Sequence, residues 1–383
     1  WFYNTIGVNL SSSIQQGFSQ STPIQSSLDG GLTYPGLLTN PFPNGLIAPS
    51  GASGGLSTNL GQGLSVYSPK RLQPYAQRWS LGVQQELPMQ FMVEASYVGN
   101  RGTRLSINRP LNAIPNQYLS TSPVRDQATI NYLGQNFKNP FQGLNPIYGA
   151  NISRASLLTP FPQFGGITLI GDAAGYSWYH SLQTRIERRF ANGWTVQGSY
   201  TWSKSMEATE FLNGGDPMPY ESLSALDRTH RFTASGIWEI PYGRGRHFGS
   251  ASHPVTNFIL GGWQYNAVYM HQTGSPLGFG NRIFNGDLDK IVRPKGERGV
   301  DGWFYPAADA GFVTASNQQL ANNLRRFSIR FSGVRGPTQD RWDMGLIKNF
   351  KINERWTTQF RAETFNAMNH PNLSDPNTDP TSA

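Results

Sequence analysis

Residues 194–203 read Trp-Thr-Val-Gln-Gly-Ser-Tyr-Thr-Trp-Ser, every even position apolar or glycine and every odd one polar, directly after the tight-turn sequence Ala191-Asn192-Gly193. That alternation predicts a β-strand with one oily and one wet face. Trp194 and Trp202 share the oily face. At about 3.4 Å per residue they stand roughly 27 Å apart along the strand and, after a barrel-like tilt, about 20 Å apart along a membrane normal. Aromatic residues at both ends of an apolar stripe of that height predict a strand that crosses a bilayer.

A first strand is predicted around Ser11 to Thr22, and further alternating segments fall near 75–87, 91–105, 177–190, 194–206, 229–241, 258–272, 340–350 and 355–367. In 75–87, Tyr75, Trp79, Leu81, Val83 and Leu87 oppose Arg78, Ser80, Gln84 and Glu86. In 229–241, Phe232, Ala234, Trp238 and Ile240 oppose Arg231, Thr233, Ser235 and Glu239; in 258–272, Trp263, Tyr265, Ala267 and Tyr269 oppose Gln264 and Asn266. Short links at Leu87-Pro88-Met89, Ala191-Asn192-Gly193 and Ile352-Asn353-Glu354 alternate with long ones at 24–74, 107–176, 207–228 and 273–339, and a medium link from Pro241 to Asn257 falls where a short one is due. Up-and-down antiparallel order then sends every long loop to one side, as in outer-membrane barrels. The prediction is an all-β chain: part of an antiparallel up-and-down transmembrane β-barrel with long extracellular loops, about 8–10 strands of a larger one. Nine strands make an odd count where single-chain bacterial outer-membrane barrels have an even one, and an open edge in hydrocarbon would leave backbone groups unpaired, so the spanning set is expected to be incomplete. Asn369 to Ala383 reads as another outer loop beginning.

The long loops are rich in Gly, Pro, Asn and Ser, as Leu32 to Gly63 shows, and present no helix of convincing period; the plain expectation for each is a mobile, solvated connection. The 273–339 loop is basic (Arg282, Lys290, Arg293, Lys295, Arg298, Arg325, Arg326, Arg330, Arg335) and the 207–228 loop acidic (Glu207, Glu210, Asp216, Glu221, Asp227). Whether they meet is left open by the sequence.

Composition supports the pattern. Only 14% of the 383 residues are charged and 37% are apolar, a shortage of both that suits a barrel needing apolar side chains on its outer face alone. The 10 Trp, 16 Tyr and 22 Phe fit aromatic girdles. With no cysteine, disulfides and thiolate metal sites are excluded. No apolar run approaches a spanning helix, so any passage is by strands. The chain opens at Trp1 with neither a basic n-region nor an h-region, and its start is expected upstream.

No catalytic constellation stands out, and no enzyme, metal site or cofactor is predicted. His180, His230, His247, His253, His271 and His370 are scattered without zinc-site spacing. Gly243 to Gly249 reads as a basic turn on the short-loop side, not a dinucleotide fingerprint. Asp287 and Asp289 fall short of a calcium loop and read as a solvated turn. The net charge of +8 comes with no nucleic-acid motif, and contact with lipopolysaccharide or an acidic ligand explains it as cheaply.

Strand parity gives the site prediction. Gln183, Arg185, Glu187 and Arg189 alternate with Leu182, Thr184 and Ile186, and are expected to face the lumen together with Arg231, Glu239, Asp343, Arg361 and Glu363. An Arg or Lys facing lipid at the midplane costs about 2–4 kcal/mol, so the wet side belongs inside. Such charges either hold a plug or guide a solute, or form a structural network stiffening the wall; the latter is the plainer expectation. Trp79, Trp194, Trp202, Trp238, Trp263 and Trp356 are expected in lipid-facing girdles.

Several stretches together resemble a family. Arg341 to Phe350 (Arg-Trp-Asp-Met-Gly-Leu-Ile-Lys-Asn-Phe), followed by Gln359 to Asn372 (Gln-Phe-Arg-Ala-Glu-Thr-Phe-Asn-Ala-Met-Asn-His-Pro-Asn), is similar to the last hairpin of Oar-like TonB-dependent outer-membrane receptors. The segments 78–84, 95–102, 198–205, 227–232 and 261–264 resemble the same family, in the expected order over about residues 75–372. The resemblance implies that residues 1–383 are the C-terminal portion of a barrel of about 22 strands surrounding a plug, with plug, signal peptide, TonB-contacting segment and final strand not visible in this chain. It implies uptake of a ligand across the outer membrane of a Gram-negative-type bacterium with TonB-derived energy, in contact with outer-membrane lipid and lipopolysaccharide. Two alternatives stay open: an adhesion or surface-assembly barrel without transport, and a secreted soluble β-sandwich or carbohydrate-active enzyme, which would bury its apolar strand faces against each other.

Overall fold

The computed structural model describes residues 2–3, 20–24, 27, 29–33, 39–42, 44–70, 72–313, 322–351 and 355–380. The alternating segments become β3 (Tyr75–Leu87), β4 (Phe91–Pro110), β7 (Ile167–Ala191), β8 (Trp194–Ala208), β10 (His230–Glu239), β11 (Trp263–Gln272), β12 (Gln339–Lys351) and β13 (Thr357–Thr364). Shorter strands are β1 (Phe2–Tyr3), β2 (Leu64–Tyr67), β5 (Asn136–Lys138), β6 (Asn151–Ser153) and β9 (Ser222–Leu223). One 11-stranded sheet runs β1-β3-β4-β7-β8-β10-β11-β12-β13, with β2 and β9 attached to β7 and β8. Every pairing along that path is antiparallel; β2 lies parallel to β7. Among the described residues the sheet is not closed into a barrel.

Local chemistry explains the turns. Asn192 (φ 52°) and Gly193 (φ 83°) both occupy the left-handed region, which the two-residue turn matching strand twist demands and which Asn-Gly supplies cheaply. The link after β10 differs from expectation. Residues 258–260 belong not to a strand but to helix α3 (Pro254–Leu260), opened by His253, whose Nδ1 accepts from the Val255 amide, with Pro254 at the first helical position. β11 therefore begins only at Trp263.

β7 is also longer than predicted: it starts at Ile167, not near 177, and with β4 forms a ribbon that outruns its neighbours on the long-loop side. Register shifts between Thr103 and Arg109 bend this extension. The first predicted strand falls mostly on residues 11–19, outside the described residues, and residues 20–22 are not strand. The short link at 352–354 also lies outside them.

Two of the four long loops contain α-helices, against the expectation of helix-free connections. The 107–176 loop contains α1 (Gln127–Gly134) and α2 (Arg154–Leu157), and the 273–338 segment contains α4 (Ala307–Ala310). This segment has the largest apolar core described. Leu277, Phe279, Ile291, Val292, Ala310, Phe312 and Val334 are buried together, with Phe284, Trp303, Phe304, Phe327 and Phe331 packed around them. The sheet's own apolar face meets no second sheet among the described residues, and Trp238 and Tyr200 on it are 48% and 37% exposed. A dry sandwich centre is absent there.

Helix α1 illustrates how a loop acquires order. Asp126 accepts from the Thr129 amide (3.0 Å), the Thr129 hydroxyl (2.7 Å) and the Ser120 hydroxyl (2.7 Å). These bonds, the Thr129 hydroxyl first, lower its pKa to about 2. A depressed carboxylate contributes stability above its unfolded pKa of about 3.9 and loses it as pH falls through the folded value. Amide protection in α1 is thus expected to fall between about pH 4 and pH 2, and Asp126→Ala to remove that step from the exchange profile.

Candidate functional site

The strand register sorts the predicted residues into two faces. On the wet face, Gln183 stands opposite Thr201, Thr201 opposite Arg231, and Arg231 opposite Gln272; Glu239 pairs with Gln264, Gln264 with Ile347, and Ile347 with Arg361; Gly345 pairs with Glu363. Arg185, Glu187, Arg189 and Asp343 have the same parity, so all nine candidates share one face.

They do not form one cluster. Arg185 pairs with Glu187, Arg341 with Asp343 (2.8 Å) and Arg361 with Glu363 (3.6 Å), each along a single strand. Arg189 reaches Glu86 (3.4 Å), and Glu239 takes Arg246 of the basic turn (2.7 Å). Gln183 donates to the Ser181 hydroxyl (3.1 Å). Among these charged candidates Arg231 alone has no ion pair within the described residues.

Arg231 and Gln183 instead line a wet-face cleft of about 420 Å³ with Tyr179, Thr201, Ser203, Arg228 and Gln272. The Arg228 guanidinium donates to the carbonyls of Ala225 and Asp227. Two guanidiniums among hydroxyls and amides suit an anionic or strongly hydrogen-bonding group. Tyr179, Thr201 and Ser203 were not singled out from sequence, although their odd numbering places them with Gln183; Arg228 lies past a loop where parity gives no guidance.

The opposite face is aromatic. Trp194 pairs with Trp238, Trp238 with Tyr265, Trp263 with Lys348 and Lys348 with Phe360 near the short-turn end. Trp79 and Trp202 lie towards the long loops, joined by Trp178 and Trp342, which were not predicted. Trp356 stands just outside β13 and is 69% exposed. Trp79 lies over Gly99, where an added Cβ would sit 2.3 Å from the indole. Gly99 is therefore the seat of that ring, and Gly99→Val is expected to displace it, read as a shift in tryptophan emission.

Cations border this face. Near the short turns Arg188 is buried, donates to the carbonyls of Met89, Ala191 and Trp194, and stacks over Trp194 at 3.7 Å. Buried Lys348 meets the Gly261 carbonyl and lies 5.4 Å from Trp263 and 5.1 Å from Phe350. Towards the long loops stand Arg101, His180, Lys204 and His230, and Asp340 between His271 (2.7 Å) and His370 (3.6 Å). Between the two borders the face holds no charged side chain among the described residues. From His180 to Arg188 on β7, or from Asp340 to Lys348 on β12, that band is roughly 27 Å along the strand.

Above the sheet, the basic and acidic loops do meet. Arg330 reaches Glu207 (3.2 Å) and Glu210 (3.8 Å), and Arg335 reaches Asp227 (2.6 Å). Asn213 joins them, accepting from the Arg325 amide (2.7 Å). Burial lowers the pKa of the Arg325 guanidinium, with Glu210 opposing. Residues 373–380 return over the 273–338 segment, the cap of the sheet, where Asp379 pairs with Arg282 (2.9 Å) and a cleft of about 710 Å³ is lined by Arg293, Trp303, Tyr305 and Asp375. Among the described residues, no group of three His, Asp or Glu side chains stands close enough to hold a metal ion.

The family whose model matches the chain, over residues 1–383, is described as outer membrane beta barrel domain. No curated protein matches. Among solved structures, the outer membrane transporter YddB from Escherichia coli is similar at 12% identity and a TM-score of 0.39, the alignment covering 82% of this chain and 31% of that one. The chain thus spans about a third of that transporter's length.

Proposed function

This chain belongs to the outer membrane beta barrel domain family and lies in the cell outer membrane, and we propose that it is the C-terminal part of the barrel of a TonB-dependent, Oar-like receptor that admits a scarce ligand. The observation that carries the reading is the segregation of faces: nine charged or amide side chains on one side, and on the other a charge-free band bordered by aromatic rings and cations. Such a sheet is stable with its aromatic face against acyl chains and its wet face around an aqueous passage. The ordered motifs over residues 75–372 support the TonB-dependent assignment.

In this reading the barrel wall performs no covalent chemistry. The ion pairs Arg185–Glu187, Arg341–Asp343 and Arg361–Glu363 stiffen the lumen wall, while the cleft at Arg231 meets either the ligand or a plug. TonB contact is assigned to a segment outside this chain, lipopolysaccharide to the aromatic face, and nucleic acid to no surface. The large folded cap also supports a second reading, surface adhesion without transport.

Uptake profiling separates the two. Strains lacking the full-length receptor and strains lacking TonB are expected to leave the same solute unconsumed in the medium. A solute defect in the first strain with none in the second would remove energy coupling and favour adhesion. The orientation has its own test. Ala234→Arg, at the middle of the charge-free band, is expected to cost about 2–4 kcal/mol of barrel stability in lipid, whereas Ser235→Arg on the opposite face leaves stability within about 0.5 kcal/mol. Equal costs would refute the assignment of faces.

A further inference from the structure

Cations on an oily surface need a counter-charge, and one group of them has none among the described residues. Arg101 and Lys204 are exposed on the aromatic face of β4 and β8, at its long-loop border, with β7 between them. Arg101 stands opposite Trp178, and Lys204 stands opposite His180. The two cations are diagonal across β7, so their backbones are about 12 Å apart, within joint reach of one large headgroup. His180 joins them: its Nδ1 meets the Tyr97 hydroxyl at 2.6 Å, and its ring stacks on Tyr97 and lies 6.2 Å from Trp79.

Neither Arg101 nor Lys204 has an ion pair among the described residues, and from their rows to the short turns the aromatic face of β3, β4, β7 and β8 carries no acid. Glu221, from the following loop, is held one row further out by the Tyr176 hydroxyl (2.6 Å). The contrast with the other border is informative. There the cations Arg188 and Lys348 are buried, and their charges are spent on backbone carbonyls and indoles of their own chain.

We propose that Arg101, Lys204 and His180 form a binding site for the phosphates of a phosphorylated outer-leaflet lipid, with Trp79 and Trp178 against its sugar and proximal acyl chains. The inference rests on the membrane orientation above, which sets the level of these residues. They lie just beyond a neutral band about as tall as the apolar belt of an outer-membrane barrel, at the depth where headgroup phosphates begin and bulk water does not yet solvate a cation fully. Charge complementarity and depth together favour a lipid phosphate over a freely diffusing anion. Indole rings bordering the acyl region supply the amphipathic surface that such a lipid's boundary requires.

The test uses the full-length protein in detergent, titrated with bis-phosphorylated lipid A, with its dephosphorylated form and with inorganic phosphate, and binding followed by native mass spectrometry. The double variant Arg101→Gln/Lys204→Gln is expected to bind bis-phosphorylated lipid A at least about tenfold more weakly, with unchanged circular dichroism. Arg78→Gln, on the opposite face of β3, is expected to bind as the parent does. Equal binding by the double variant, equal binding of the dephosphorylated lipid by the parent, or displacement of the lipid by millimolar inorganic phosphate would each overturn the proposal. Failure of the parent to insert into lipid vesicles would instead refute the orientation on which it rests.

Discussion

Asp227→Ala is expected to unfasten the outer cap from the barrel rim at a cost of about 3–5 kcal/mol. The Asp227 side chain is only 1% exposed and receives the Arg335 guanidinium at 2.6 Å and the Ser205 amide at 2.6 Å. Arg335 belongs to the cap and also donates to the Gly274 carbonyl. Removing the carboxylate strands a cation that is 17% exposed and a backbone donor at the edge of β8. Breaking one half of a buried pair is far more damaging than never having the pair, because the remaining charge keeps its desolvation cost without compensation. Hydrogen exchange on the full-length protein should show faster exchange throughout 273–338 and at the Ser205 amide, with the rest of β8 and all of β10 unchanged. Asp227→Asn retains an acceptor for Ser205 and should fall between parent and alanine variant. Unaltered cap protection in the alanine variant would show that Arg330 and its partners Glu207 and Glu210 hold the cap unaided.

Phe279→Ala acts on the same cap from within. Its ring is 5% exposed and meets Phe304 and Phe312 edge-on at centroid distances of 5.3 and 5.1 Å, with Phe327 at 6.2 Å. Deleting a buried phenyl group costs about 3–5 kcal/mol, through lost transfer energy and the cavity left behind. The cap core contains no residue of the sheet, so the loss should be local: rapid proteolysis within 273–338, with the strands still protected in detergent. A global loss of sheet protection would mean that cap and sheet fold as one unit.

Period two made the sheet legible. Leu182, Thr184 and Ile186 alternate with Gln183, Arg185 and Glu187 within a few residues, so local reading alone assigns both strand and face, and β3 and β8 follow their expected beginnings. Parity breaks down at β4 beyond Thr103, where three register shifts intervene. The strand expected from residue 258 failed because Phe258-Ile259-Leu260 is apolar in succession, a run that fits a strand or a short helix equally, and Pro254 with His253 decides for the helix. The cap core was hidden for a different reason. Leu277, Ile291, Phe312 and Val334 lie far apart in sequence among glycines and arginines, with no period to connect them. The salt bridges from Arg330 to Glu207 and from Arg335 to Asp227 likewise join residues more than a hundred positions apart, and composition suggested only that the two loops had opposite sign. Of the wet-face residues, parity found Gln183 and Arg231 but could not show that they share a cleft in which Arg231 has no acidic partner among the described residues.

The cap leaves and rejoins the sheet at residues 272 and 339, and Gln272 and Gln339 are register partners. Its two stems are therefore one strand spacing apart, about 4.8 Å. A module that closes on its own interior and hangs from so narrow a neck is interchangeable in principle: a β11–β12 hairpin given a two-residue turn in its place keeps its pairing, and a foreign cap with adjoining ends can be grafted on it. In the proposed orientation, the surface that meets the outside world can thus be remade while the wall beneath keeps one design.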